Sequence, residues 1–118
     1  VERHFFAKEN RLKKRAQFLD LSSRGKRVQN SLFIAVYDSS LADCSRLGIT
    51  VTKKVGNAWA RNRIKRRVRE FFRQNRHLLP RALDINIIAK KMAADADHES
   101  CRKALESLFG RIAKGASP

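Results

Sequence analysis

The stretch KKVGNAWARNRIKRRVREFF, residues 53–72, constrains this chain more than any other. At 100° per residue, with Ile64 as zero, Ala60, Val68 and Phe71 fall within about 40° of one meridian, and Phe72 widens that stripe. Asn62, Arg66, Arg69 and Arg73 fall within about 40° of the opposite pole. Arg61 and Arg67 sit on the shoulders, roughly 60° to either side, while Arg63 and Lys65 lie roughly 100° to either side. The spacing therefore predicts a helix from Ala58 to about Arg76 with a narrow dry stripe and a wide basic surface. Gly56 and Asn57 break the preceding pattern, and Asn57 is suited to cap the helix. Pro80 lies beyond its end. Such a helix cannot build a core alone, so other elements must cover its stripe.

Those elements can be read in turn. Arg11 to Ser23 has apolar positions at Ala16, Phe18, Leu19 and Leu21, which predicts a short helix ending near Gly25. Leu32 to Tyr37 is a continuous apolar run, expected as a strand buried on both faces. In RLGITVT, Leu47, Ile49 and Val51 alternate with Gly48, Thr50 and Thr52; this strand is expected to run antiparallel to the one before it. LDINIIAKK is the last strand. DADHESCRKALESLFGRIAK closes the chain as a helix, with Cys101, Ala104, Leu105, Leu108, Phe109 and Ile112 on one face. The order is helix, two or three strands, helix, strand, helix. The expected class is α+β: a small mixed sheet of three to four strands, a basic crossover helix and flanking N- and C-terminal helices. Residues 1–118 are expected to form a single domain, with 1–10 and 115–118 as loose termini.

Charge narrows the function. The chain carries 27 basic and 11 acidic residues, a formal net charge of +16. That excess repels itself on folding and calls for an anionic partner: nucleic acid, a lipid surface or an acidic protein. A solvated helix mixes signs, because Glu placed four residues before Lys or Arg supports it. Here Glu70 alone faces eight basic residues between Lys53 and Phe72. A membrane-surface helix buries a broad apolar face, whereas this face is narrow and is needed by the core. No apolar run approaches the roughly 20 residues of a membrane span. The N-terminal VERHFFAKENRLKKR lacks a signal peptide's apolar stretch, and Cys44 and Cys101 stand far apart as two free thiols, so a reducing cytoplasm is expected.

Nucleic acid fits for local reasons as well. Lys53 and Lys54 end a strand just before the helix N-terminus, so two ammonium groups and free backbone N–H groups converge on one phosphate-binding spot. From Trp59 to Arg76 the helix uses seven Arg and one Lys. The planar guanidinium binds phosphate bidentately and stacks on bases. Asn62 could read a base edge or simply face solvent. Trp59 could stack on a base or pack on the sheet. A helix preceded by a strand rather than by a short helix points to structured or single-stranded RNA over the DNA major groove.

In its order, TKKVGNAWARNRIKRRVREFFR resembles the signature of the bacterial ribonuclease P protein family, through Lys53, Lys54, Gly56, Arg61, Asn62, Arg63, Lys65, Arg66 and Arg69. Arg11, Leu12 and Phe18 in RLKKRAQF resemble the family's N-terminal segment, and RLGITVTKK and INIIAKK its two strands around the basic helix. The resemblance spans roughly Asn10 to Lys114. It implies a ribosomal-protein-like βαβ unit with a left-handed crossover, against the general preference. It implies a small partner of a large catalytic RNA, which removes the 5′ leader from precursor tRNA using its own Mg²⁺ ions, the protein binding none tightly. It implies that Lys53, Lys54, Arg61, Asn62, Arg63, Lys65, Arg66, Arg69 and Arg73 contact the catalytic RNA and phosphates. It implies a cleft between the first helix and the sheet that holds the single-stranded leader through Phe18 and through Val36 or Tyr37, whichever faces the cleft. Ser22 stands where the family commonly has a second aromatic. The protein is expected to be monomeric apart from its RNA, with no membrane partner. The alternative is a structural, ribosomal-type RNA-binding protein.

No catalytic or metal-ligating residue is assigned. Asp95 to Glu99, DADHE, is the one dense acidic cluster, and it lies where a helix begins; Asp97 suits an N-cap there. His4, His77 and His98 are scattered.

Overall fold

The computed structural model describes residues 11–40, 42 and 44–116. Three helices surround one four-stranded sheet. Helix α1 is Arg15–Arg24, α2 is Ala58–Asn75 and α3 is His98–Ala116. The strands are β1, Lys26–Gln29; β2, Phe33–Ser39; β3, Arg46–Thr50; and β4, Leu83–Ala89. Single 3-10 turns occupy Arg76–Leu78 and Lys91–Ala94.

The strand order is β1-β2-β4-β3. β1 and β2 pair antiparallel, as do β2 and β4, whereas β3 and β4 are parallel. The expected antiparallel neighbour of β3 is therefore corrected. β3 does not touch β2 as a strand partner; β4 inserts between them, and α2 carries the chain from β3 to β4. Parallel neighbours require a crossover of this kind, and an 18-residue helix supplies it.

Register sorts the side chains. Ala35, Tyr37, Leu47, Ile49, Leu83, Ile85 and Ile87 face α2 and α3, and form the main core with Ile64, Val68, Phe72, Leu105, Leu108 and Ile112. The two helices meet edge to face where Phe71 and Phe109 lie 5.0 Å apart, a favoured aromatic geometry. The stripe read from the sequence is the buried one, with Ile64, Val68, Phe71 and Phe72 buried and Ala60 half-buried. Helix α1 covers the opposite sheet face, where Leu12, Leu21 and Val36 form a smaller cluster.

Local chemistry sets the helix ends. Asn57 Oδ1 accepts from Ala60 N–H at 2.9 Å and starts α2. Asp97 Oδ1 accepts from Ser100 N–H at 2.7 Å before α3, so this carboxylate is a cap. The same hydrogen bond lowers its pKa. Gln17 reaches back to the Lys13 and Lys14 N–H groups and starts α1 later than Arg11. Residues 11–12 instead lie along the outer edge of β3, where Leu12 N–H donates to Leu47 O at 2.9 Å. The tail expected to be loose is partly helical: α3 runs through Gly115 and Ala116, and Ala116 is buried. The expected loose residues 1–10 and 117–118 lie outside the described residues.

Candidate nucleic-acid interface

The basic residues of α2 divide into two flanks. On one flank, Arg63 Nη2 donates to Ala94 O at 2.7 Å. Arg67 Nη1 donates to Ala96 O at 3.0 Å and approaches Cys101 Sγ at 3.4 Å. These two guanidinium groups tie α2 to the connection before α3. Arg63 also lies 4.5 Å from the Trp59 ring centroid, a cation–π contact. Trp59 is 68% exposed, so it does not pack on the sheet.

On the other flank, Lys65 and Arg69 line a groove of about 140 Å³ together with Arg11, Leu12, Phe18, Leu47, Gly48 and Ile49. Three cations thus converge around one aromatic ring at the β3 edge. The ring is seated on Gly48: a Cβ there would fall 2.4 Å from Phe18 Cε1. Only glycine lets the ring approach the strand this closely. Asn62 and Arg66 are exposed on the outer face, and Arg61 is half-buried with Nε lacking an acceptor among the described residues. Arg73 pairs with Glu70 at 2.7 Å. Lys53 and Lys54 are exposed in the turn that leads into α2.

The register settles which β2 residue faces α1. Val36 pairs with Asn86, which in turn pairs with Gly48, and all three share the α1 side. Tyr37 is on the other face, 4% exposed in the main core, so its place in the cleft is corrected. Its OH lies close to Gly115, where a Cβ would be 2.3 Å away. Val36 has the expected orientation but is 1% exposed, shut in between the sheet and α1 near Leu21 and Gly25. It supports the cleft from beneath and offers little contact surface.

A tight ionic cluster holds α1 over the sheet. Arg24 of α1 donates to Asp38 of β2 at 2.6 Å and to Asp20 at 2.7 Å, and lies 3.8 Å from Asp84 of β4. Hydrogen bonds from the Ser39 backbone and from Arg24 lower the Asp38 pKa.

The family described as Ribonuclease P matches residues 6–113 of this chain. The chain belongs to the ribonuclease P protein family. It is 53% identical over 111 residues to the ribonuclease P protein component of Desulfatibacillum aliphaticivorans, covering 94% of each chain. The ribonuclease P protein of Staphylococcus aureus superposes with a TM-score of 0.82 at 38% identity, covering 89% of this chain and 95% of that one. That of Thermotoga maritima gives 0.78 at 39% identity, covering 86% and 96%.

For a ribonuclease P protein, the notable feature of this geometry is continuity. Lys65 and Arg69 belong both to the basic helix and to the groove at Phe18, so the two expected surfaces adjoin. Arg11 and Gly48 complete the groove, and the sequence reading did not assign them to the site. The glycine inside an alternating strand was the available signal, since such a residue marks close approach by a neighbour. No helix among the described residues is long and apolar enough to cross a membrane.

Proposed function

We propose that this chain is the RNA-binding subunit of ribonuclease P. It docks on the catalytic RNA through the exposed face of α2 and holds the single-stranded 5′ leader of precursor tRNA along the groove between α1, β3 and α2. The hydrolysis belongs to the RNA and its Mg²⁺ ions. The protein supplies position and charge, as a monomer in the cytoplasm. The observation that carries the reading is the groove itself. In a chain of this family, Phe18 offers a face for stacking a base, while Arg11, Lys65 and Arg69 stand where the adjoining phosphates would run.

Two basic surfaces that adjoin let one protein bridge an RNA partner and its substrate. Neutralising phosphates on both would offset the repulsion that lowered Mg²⁺ leaves uncompensated. Adding the protein to its RNA at low Mg²⁺ is therefore expected to raise cleavage of precursor tRNA. Equal cleavage with and without protein overturns the proposal. Equal binding of precursor tRNA and leaderless tRNA by the holoenzyme overturns the assignment of the groove to the leader.

A further inference from the structure

Two polar side chains are buried among the described residues, Asp84 and Asn86, and both project from β4 toward α1. The fold accounts for Asp84: Arg46 and Ser40 bond its carboxylate and Arg24 approaches it. It does not account for Asn86. That side chain is 8% exposed and interrupts an otherwise apolar run from Ile85 to Ala89. Asparagine is depleted in strands, and a buried amide needs partners for both its oxygen and its nitrogen. Asn86 Oδ1 accepts from Thr50 Oγ1 at 3.2 Å. Among the described residues no acceptor takes the Nδ2 hydrogens, although Nδ2 is the better donor of the pair.

The surroundings say what such a group can do. Asn86 lies between Val36 and Gly48 across the sheet, directly beside the glycine that seats Phe18. The next row outward, Ile34, Ile88 and Thr50, is half-buried and continues the sheet floor from beneath α1. The amide thus sits at the boundary between the covered and the open floor, with apolar neighbours on the same face. In such a low-dielectric setting a hydrogen bond is strong and an unmet one is costly, so a polar group there discriminates between occupants. Thr50 fixes the orientation. With its hydroxyl hydrogen committed to Asn86 Oδ1, it directs Nδ2 away and keeps its own lone pairs available. Donor and acceptor then stand side by side, which suits the edge of an unstacked base.

We propose that Asn86, oriented by Thr50, reads one base of the single-stranded leader, donating from Nδ2 to a ring nitrogen or carbonyl of that base. Phe18 and the three cations hold any nucleotide; Asn86 distinguishes among them. This inference rests on the leader occupying the cleft, and Asn86 acts on substrate recognition, away from the chemistry.

The test uses the reconstituted holoenzyme and precursor tRNAs whose leaders carry each of the four bases at each of the first several positions. One position is expected to show a preference of about 10-fold in binding. In Asn86→Leu that ratio collapses toward one, while affinity for the catalytic RNA and the melting temperature hold. Thr50→Val, which frees the amide to rotate, lowers the ratio partly, and Thr50→Ser restores it. A wild-type protein that binds all four bases alike at every position overturns the inference but leaves the leader assignment standing. So does a preference that survives Asn86→Leu. If Asn86→Leu weakens all leaders equally and lowers the melting temperature, Asn86 is structural and the inference fails. If leaderless tRNA binds as well as precursor tRNA, the leader assignment and this inference fail together.

Discussion

Arg46 of β3 grips Asp84 of β4 with two parallel hydrogen bonds, Nε to Oδ1 at 2.8 Å and Nη2 to Oδ2 at 2.7 Å. The Asp84 side chain is 3% exposed and that of Arg46 17%, so this is a buried pair. It joins the two parallel strands at the end where Arg24 brings α1 onto the sheet. Removing one partner strands a charge. Arg46→Ala is expected to destabilise the protein by about 3–5 kcal/mol, whereas replacing both partners, Arg46→Met with Asp84→Leu, should be close to neutral. Urea unfolding of the three proteins checks this. A loss below 1 kcal/mol for Arg46→Ala would show the pair to be dispensable.

Gly48 and Phe18 make a second pair that can be tested by a cycle. Gly48→Ala places a Cβ 2.4 Å from Phe18 Cε1 and 2.8 Å from Cζ. The ring must lift from the strand, at a cost of about 1–3 kcal/mol. Phe18→Ala removes the clash, so the double variant should recover most of what Gly48→Ala loses beyond the loss of the ring itself. Strict additivity in unfolding free energy would mean that the ring and the glycine do not touch.

The division of α2 into tied and exposed cations predicts two kinds of outcome. Arg61→Ala with Arg66→Ala should weaken binding to the catalytic RNA and reduce the slope of log affinity against log salt by about one per lost phosphate contact. Arg67→Ala should chiefly loosen the junction of α2 with α3, since its guanidinium holds Ala96 O and reaches Cys101. Filter binding across a salt series, set beside thermal melts, separates the two. An Arg67→Ala protein that melts normally but loses a full unit of slope would move that residue to the RNA surface.

Acid should release α1. The Asp38 pKa is lowered from 3.8 by the Ser39 N–H and by Arg24. Its ionised form is the one the folded state favours. The stabilisation is therefore complete above the unfolded value and is lost as pH falls through the lower, folded value. Asp38→Asn is expected to remove that contribution at neutral pH and flatten the acid limb of stability below pH 4, within a range set by the partial exposure of the pair. Chemical denaturation at a series of pH values measures it. An acid limb identical to that of the unsubstituted protein would assign the acid sensitivity to other carboxylates.

What the sequence determined by itself was whatever depends on near neighbours along the chain. The stripe at Ile64, Val68, Phe71 and Phe72 follows from 100° per residue, and both caps, Asn57 and Asp97, act within three residues. The α+β class, the four main turns of element order and the ordered basic motif were legible for the same reason. Pairing was not, because hydrogen bonds between strands join residues distant in sequence. Alternation in RLGITVT shows which residues share a face, yet nothing local says that β4 lies between β3 and β2. Tyr37 and Val36 are equally apolar neighbours, and only the register against Ile85 and Asn86 sends one into the core and the other under α1. Arg63 and Arg66 look alike in the motif. Their difference comes from Ala94 O, 31 residues away, which accepts from the first and leaves the second to face outward. The groove, too, is a tertiary object: Arg11, Phe18, Gly48, Lys65 and Arg69 come from four segments, and only packing α1 and α2 against the edge of β3 brings them together.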